Sequence, residues 1–464
     1  MISKNQNFRP VSTAFLLLVL AAFLICCRSN ASSTESRLSD YLDTIKVVNT
    51  HEHQRRFAEY EGHPCSFYTI LAHSYLQADL VSAGAPELTP DILSQSGLES
   101  LWKTYGPYLN FSRNTSYYSH FLAGFRLLYA FDGVYFTEGN VRALSGQISR
   151  NYSHLDEWYE DAFRKAGFET MFVDQYWNPF NTDLDRRYFT LVFNINTLVS
   201  SISDREGLSA GDAPVEANIY RLAKEEGKPI ESLDNYLDAA SRLFQKFQDH
   251  KVVCLKNTLA YSRSLDFAPV SYDTARSLFA RPSKSLSDAE KKSLQDFMFH
   301  WIIEKSISLG LPIQIHTGYL AGNGNVLENS RPTKLNNLFL QYPRARFVLF
   351  HGGYPWIGEY AALGKMFPNV YLDLVWLPQI SREAAVRGLD EMLDTVPYNK
   401  FFWGGDCHFI EESAGSLIFG KDVVAQVLAA RVKRGLMTEE LAREVTRGIF
   451  RDNAIRFFKL DIKP

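Results

Sequence analysis

The stretch "VVNTHEHQRR", Val47 to Arg56, runs from an apolar start into His-Glu-His and two arginines. If Ile45 to His53 is extended, side chains alternate between faces, so His51 and His53 point one way and Glu52 the other. Two residue rises put their Cβ atoms roughly 6.5 to 7 Å apart, close enough for both imidazoles to converge on one ion.

Seven further β-branched or aromatic runs follow: "ETMFVDQYW" (169–177), "FTLVFNINTLV" (189–199), "KVVCLKNTLAY" (251–261), "LPIQIHTGY" (311–319), "RFVLFHGGY" (346–354), "NVYLDLVWL" (369–377) and "KFFWGGDCH" (400–408). Segments of helical spacing separate them. Ser232 is placed to cap a helix, and Ser287 with Glu290 makes a capping box for another that stops at Gly310. Shorter helical patterns lie near 333–341, 357–366 and 381–394, and the tail from Lys421 to Leu460 reads as closing helices. Strands alternating with helices imply parallel pairing through right-handed crossovers, and eight such units close a (β/α)8 TIM barrel. An open doubly wound sheet competes, but no glycine-rich dinucleotide turn follows the first strand.

One interval breaks the rhythm. Residues 55–155 carry helical spacing, as in "SFYTILAHSYLQADLVSAG", and read as a helical insertion after strand 1. Loops after barrel strands lie over the active face, so this insertion is expected to cap it.

Four polar residues each come where an apolar strand ends. Lys256 follows "VVCL", His316 follows "LPIQI", His351 follows "FVLF" and Asp406 follows "FFWGG". A closed barrel gathers the C-terminal ends of its strands into one ring, so these residues, with His51 and His53, should face a common centre. Imidazole and carboxylate suit zinc, with manganese or iron as alternatives. His63, His73, His120, His154, His250 and His300 fall in helical or loop contexts and read as packing or solvent-facing, although His73 and His120 are placed to reach the pocket from the cap. Asp174 and Asp373 read as structurally paired acids, Trp376 and Trp403 as barrel packing, and His408 as either a support for Asp406 or a loop residue. Arg263, just past strand 4, is a candidate for holding a substrate carboxylate; Arg55 and Arg56, just past strand 1, could do likewise, but each reads first as a surface or loop residue.

"HEH", "HTG", "HGG" and "GGD" in this order resemble the amidohydrolase superfamily of metal-dependent barrel hydrolases, in particular the amidohydrolase-related branch that includes acid-sugar isomerases and decarboxylases. "LKNTLAYSRSL" and "NAIRFFKL" also resemble that branch, and the likeness runs from about Ile45 to Leu460. It implies that His51, His53 and Asp406 hold a first metal, and that His316 and His351 hold a second or share a mononuclear site with a substrate-polarising role. It implies that Asp406 moves a proton between water and leaving group, and that Lys256 is carboxylated where two metals bind. Hydrolysis of an amide, lactone or related ester is the expected reaction. A mononuclear isomerase or decarboxylase of a carboxylated substrate, and a non-catalytic surface binding protein, stand as alternatives.

The 464 residues are 46% hydrophobic with a net charge of -3, a globular composition without a basic block for nucleic acid. The expected partner is a small molecule, and the oligomeric state is left open. Residues 1–27 have the charge and hydropathy pattern of an export signal, and "LICC" resembles a bacterial lipoprotein signal with Cys27 as the lipidated residue. The chain is then expected to be exported and held to the cell envelope by a lipid, with 28–44 a linker and N-terminal segment and 45–464 the hydrolase barrel. Cys65, Cys254 and Cys407 are widely spaced and indicate no disulfide framework.

Overall fold

The computed structural model describes residues 33–206 and 217–462. The segment read as an export signal, with Cys27, lies outside them. Among the described residues no helix is long and apolar enough to cross a membrane.

All eight runs form strands: β1 (Val47–Glu52), β2 (Phe168–Val173), β3 (Phe189–Asn194), β4 (Cys254–Asn257), β5 (Ile313–Ile315), β6 (Phe347–Leu349), β7 (Val370–Asp373) and β8 (Phe401–Phe402). They pair in parallel in the order β1 to β8. The gap between β8 and β1 is bridged by Thr50 N to Trp403 O, Asp406 N to His51 O and His53 N to Cys407 O. The result is a (β/α)8 barrel. Its interior is packed and partly polar: Gln314 Nε2 crosses from β5 to donate to Thr50 O at 2.8 Å.

The caps read from sequence hold. Ser232 accepts from Asn235 N ahead of helix Leu233–Asp249, and Ser287 with Glu290 closes a capping box ahead of helix Asp288–Leu309, which Gly310 ends at φ 68°. After β1 the chain forms a short turn, Phe57–Tyr60, and then helices from Phe67–His73 to Glu138–Tyr152. Helix Leu155–Ala166 then leads into β2. This cap is locked to the barrel where helix Ser116–Tyr129 crosses helix Ile410–Lys433. The crossing is close because Gly124 and Gly415 are glycines: a Cβ at Gly124 would overlap the Glu411 carbonyl, and one at Gly415 the His120 carbonyl.

Candidate metal centre

The C-terminal strand ends bring His51, His53, Lys256, His316, His351 and Asp406 into one buried cup. His51 Nε2 and His53 Nε2 lie 3.2 and 3.0 Å from Asp406 Oδ1. Lys256 Nζ is 3.2 Å from His51 Nε2 and sits 3.5 Å over the Phe350 ring. His316 Nδ1 and His351 Nε2 are 3.1 Å apart, and His351 Nδ1 lies 3.9 Å from Asp406 Oδ2. His351 and Asp406 both adopt left-handed backbone, at φ 66° and 62°. Such conformations cost of order 1–3 kcal/mol in non-glycine residues and cluster where a side chain must be aimed.

The protons on the imidazoles can be placed. Burial, reinforced by the Lys256 ammonium, pushes the His316 pKa down to about 3, and burial beside His316 holds His351 well below the usual range, so both rings are neutral. A carbonyl only accepts. His316 therefore donates from Nε2 to Tyr319 O at 2.8 Å, and His351 from Nδ1 to Val375 O at 3.2 Å. The nitrogens that remain, His316 Nδ1 and His351 Nε2, are both bare lone pairs facing each other. Burial pulls the His53 pKa down, but hydrogen bonding and charge from Asp406 overcome it and raise it, which favours a protonated ring that donates from Nδ1 to Asp174 O at 3.0 Å and from Nε2 to Asp406 Oδ1 at 3.0 Å. The acceptor–acceptor contact of His316 and His351 is repulsive unless a cation lies between the two rings. The donor set of imidazole nitrogen and carboxylate oxygen fits a divalent metal.

Charges in the cup are strongly perturbed. Burial pushes the Asp406 carboxyl up, but hydrogen bonds and charge from His51 and His53 overcome it and leave the pKa well below the carboxylate range. Burial brings Lys256 down to about 8 against the opposing pull of Asp406, Asp174 and Asp373.

Asp174, read from sequence as a paired structural acid, belongs to the same neighbourhood. It follows β2, and its ligand atoms and those of His51 and His53 lie within 4.8 Å of one another. Asn194 Nδ2 donates to both its oxygens, at 3.0 and 3.1 Å. Asp406, directly against both ring nitrogens, is the better placed ligand. Asp373 is structural as expected, bonded by Thr50 Oγ1 at 2.6 Å and Val375 N at 3.0 Å. Glu52 points away from the cup and accepts from Asn49 Nδ2 and, at 2.7 Å, from Cys407 N.

A cavity of about 540 Å³ opens over the cup. Tyr176 and Tyr261 flank the histidines, their rings 5.1 Å from His53 and 4.9 Å from His316. Tyr75, contributed by the cap, packs on Trp376 at 4.3 Å, so the insertion does reach the active face. His408 also lines the cavity, stacked 5.1 Å from His53. Sequence reasoning missed Tyr75, Tyr176 and Tyr261; for Tyr176 and Tyr261 the signal available was their place just past β2 and β4.

Arg263 is not brought to this cavity. Its guanidinium pairs with buried Asp296 at 2.5 Å, donates to Asp266 O at 3.1 Å and rests on Phe267. A buried carboxylate on helix Asp288–Leu309 claims the arginine before any substrate can. His120 does not reach the cavity either; it is buried in the helix crossing beneath the cap.

The model of the amidohydrolase family matches residues 283–460, which hold His316, His351 and Asp406. The match covers less than half of the chain. Protein fluG of Emericella nidulans is 30% identical over 269 residues, 51% of this chain and 30% of that protein, so the chain spans under a third of this curated relative. Among solved structures, the uronate isomerase of Thermotoga maritima has a TM-score of 0.75 at 15% identity, covering 92% of this chain and 98% of its own. The glucuronate isomerase of Caulobacter crescentus has 0.73 at 16%, covering 93% and 95%. A Lactobacillus casei protein described as a metal-dependent hydrolase has 0.64 at 16%, covering 91% and 97%. At these identities the likeness is one of fold. The (β/α)8 barrel is common ground, and a shared fold does not fix the reaction.

Proposed function

We propose that this protein is an amidohydrolase-type, metal-dependent hydrolase of a neutral small molecule, cleaving an amide, lactone or related ester. The observation that carries the reading is the acceptor–acceptor contact of His316 Nδ1 against His351 Nε2, which needs a cation. His51, His53 and Asp406 would hold one ion, and His316 and His351 would hold a second or complete the first. Zinc suits this set, as manganese or iron would. A divalent metal held there would lower the pKa of water toward neutrality and polarise a carbonyl.

The chain's own residues supply the rest. Asp406, kept ionised by the two histidines, takes the proton of the attacking water and returns it to the leaving group. Lys256, buried and with a lowered pKa, is poised to lose its proton, which is what carboxylation of its amine requires. Tyr75, Tyr176 and Tyr261 enclose the reacting group and exclude bulk water. The cavity wall adds Asn196, Thr258 and Ser262, and none of its described residues is an arginine. A sugar-acid carboxylate would be left without a guanidinium partner there, which favours a neutral substrate over the isomerase reading. The N-terminal reading adds export and a lipid anchor at Cys27 to this proposal.

Turnover in ¹⁸O-labelled water tests it. Metal-loaded enzyme given neutral amides, lactones and esters should place one labelled oxygen in the acid product, and Asp406→Asn should lower kcat by about 10²- to 10⁴-fold. Isomerisation of a uronate without label, or turnover undiminished in the variant, would refute the reading.

A further inference from the structure

A second cavity, of about 600 Å³, lies within the cap beside the metal cup. Its wall is chiefly apolar, with Pro90, Leu93, Leu98, Leu101 and Phe409 on it, yet it holds the guanidinium of Arg55. Among the described residues no carboxylate pairs with Arg55. Glu59, the acid on this wall, is already engaged: Oε1 with Arg56 Nε at 2.7 Å and Oε2 with Trp177 Nε1 at 3.1 Å.

Arg55 is nonetheless held in place. Its Nη2 lies 3.3 Å from His73 Nε2, and its Cζ sits 5.8 Å from the centre of the Trp177 ring. His73 Nδ1 is 2.9 Å from Thr69 O, a carbonyl that can only accept. His73 thus carries its proton on Nδ1 and offers Nε2 to the arginine, so one N–H of the guanidinium is used and its remaining donors stay unpaired. A half-buried, permanently charged group, oriented by an aromatic face and a neutral imidazole and lacking a counter-charge, is a built receptor for an anion.

We propose that this cavity binds a monocarboxylate with an apolar body, the carboxylate on Arg55 and the body against the leucines and Phe409. The site is separate from the metal cup and does not depend on the reaction performed there. Its wall is nevertheless close to the cup, since the His73 ring lies 6.4 Å from that of His408.

Calorimetric titration of the metal-loaded full chain with octanoate, and separately with octanol, tests the assignment. Octanoate should bind about tenfold or more tighter than octanol, which has the same body without the charge. Arg55→Met should lose about tenfold or more of the octanoate affinity while its melting temperature and metal content stay those of the parent, and Asp406→Asn should keep that affinity. Equal binding of octanoate and octanol to the parent chain overturns the proposal without any variant. So does octanoate affinity that survives in Arg55→Met and disappears in Asp406→Asn, because the carboxylate would then sit in the metal cup.

Discussion

His316 Nδ1 faces His351 Nε2 across 3.1 Å while each ring commits its other nitrogen to a backbone carbonyl. With no cation between them these two lone pairs work against the fold; with one they hold it. Saturating zinc, manganese or iron should therefore stabilise the protein, by about 2.7 kcal/mol at a hundred times the dissociation constant. Urea midpoints with each metal and with a chelator measure this. His316→Ala should abolish most of the gain. Midpoints indifferent to metal and chelator would show that the cup is not a cation site.

Arg263 and Asp296 make the opposite kind of pair, closed within the protein. Asp296 is 2% exposed, and besides Arg263 it accepts from Lys292 Nζ at 2.8 Å and Ala268 N at 3.1 Å. Arg263→Ala should cost about 3 kcal/mol, because it leaves a buried carboxylate short of its main counter-charge. KM should stay within about twofold of the parent, since binding energy is not what is lost. Unchanged stability with KM raised about tenfold would return Arg263 to the substrate.

The residues that were legible in the sequence share a cause. Parallel strands buried on both faces must be apolar runs, and barrel closure then sends whatever polar residue ends each run to the same ring. That is why His51, His53, Lys256, His316, His351 and Asp406 could be placed together from strings such as "LPIQIH". Tyr75 and the Arg55–His73 contact depend on how the cap helices pack, and no periodicity encodes that. Arg263 stood at the right position along the chain, but its partner lies 33 residues further on in a helix whose apolar spacing gave no sign of a buried acid. Asp174 ended its strand like the others and was read as structural only because single buried carboxylates usually are.

Gly415 holds the cap on the barrel by what it lacks. Gly415→Ala would drive a methyl into the His120 carbonyl, and backbone at a helix crossing cannot rotate aside as a side chain can. A loss of about 1–3 kcal/mol or more is expected, read as a lower urea midpoint. Gly124→Ala should act in the same sense through the Glu411 carbonyl. A midpoint unchanged in both variants would mean that the helices separate at little cost.

Glu411 joins cap and barrel through two phenols: Tyr129 donates to Oε1 at 2.5 Å and Tyr152 to Oε2 at 2.8 Å. Burial raises its pKa from 4.5 to about 7 even though both hydrogen bonds pull the other way. The neutral acid is thus the form the fold prefers. Below pH 4.5 both folded and unfolded chains carry the proton and there is no penalty. Between 4.5 and about 7 the unfolded chain gives it up first, so stability falls with rising pH, and above about 7 the deficit is constant. At about 1.36 kcal/mol per unit, the full deficit is at most about 3.4 kcal/mol. Glu411→Gln keeps a neutral side chain of the same shape and should remove this slope. Other buried acids such as Asp373, raised to about 7, add slopes of the same sign, so the informative quantity is the difference between parent and variant. Urea midpoints at pH 5 and pH 7.5 should show Glu411→Gln gaining on the parent at the higher pH. A difference that is the same at both values would mean that Glu411 titrates as an ordinary carboxyl group and that the two phenols hold its anion.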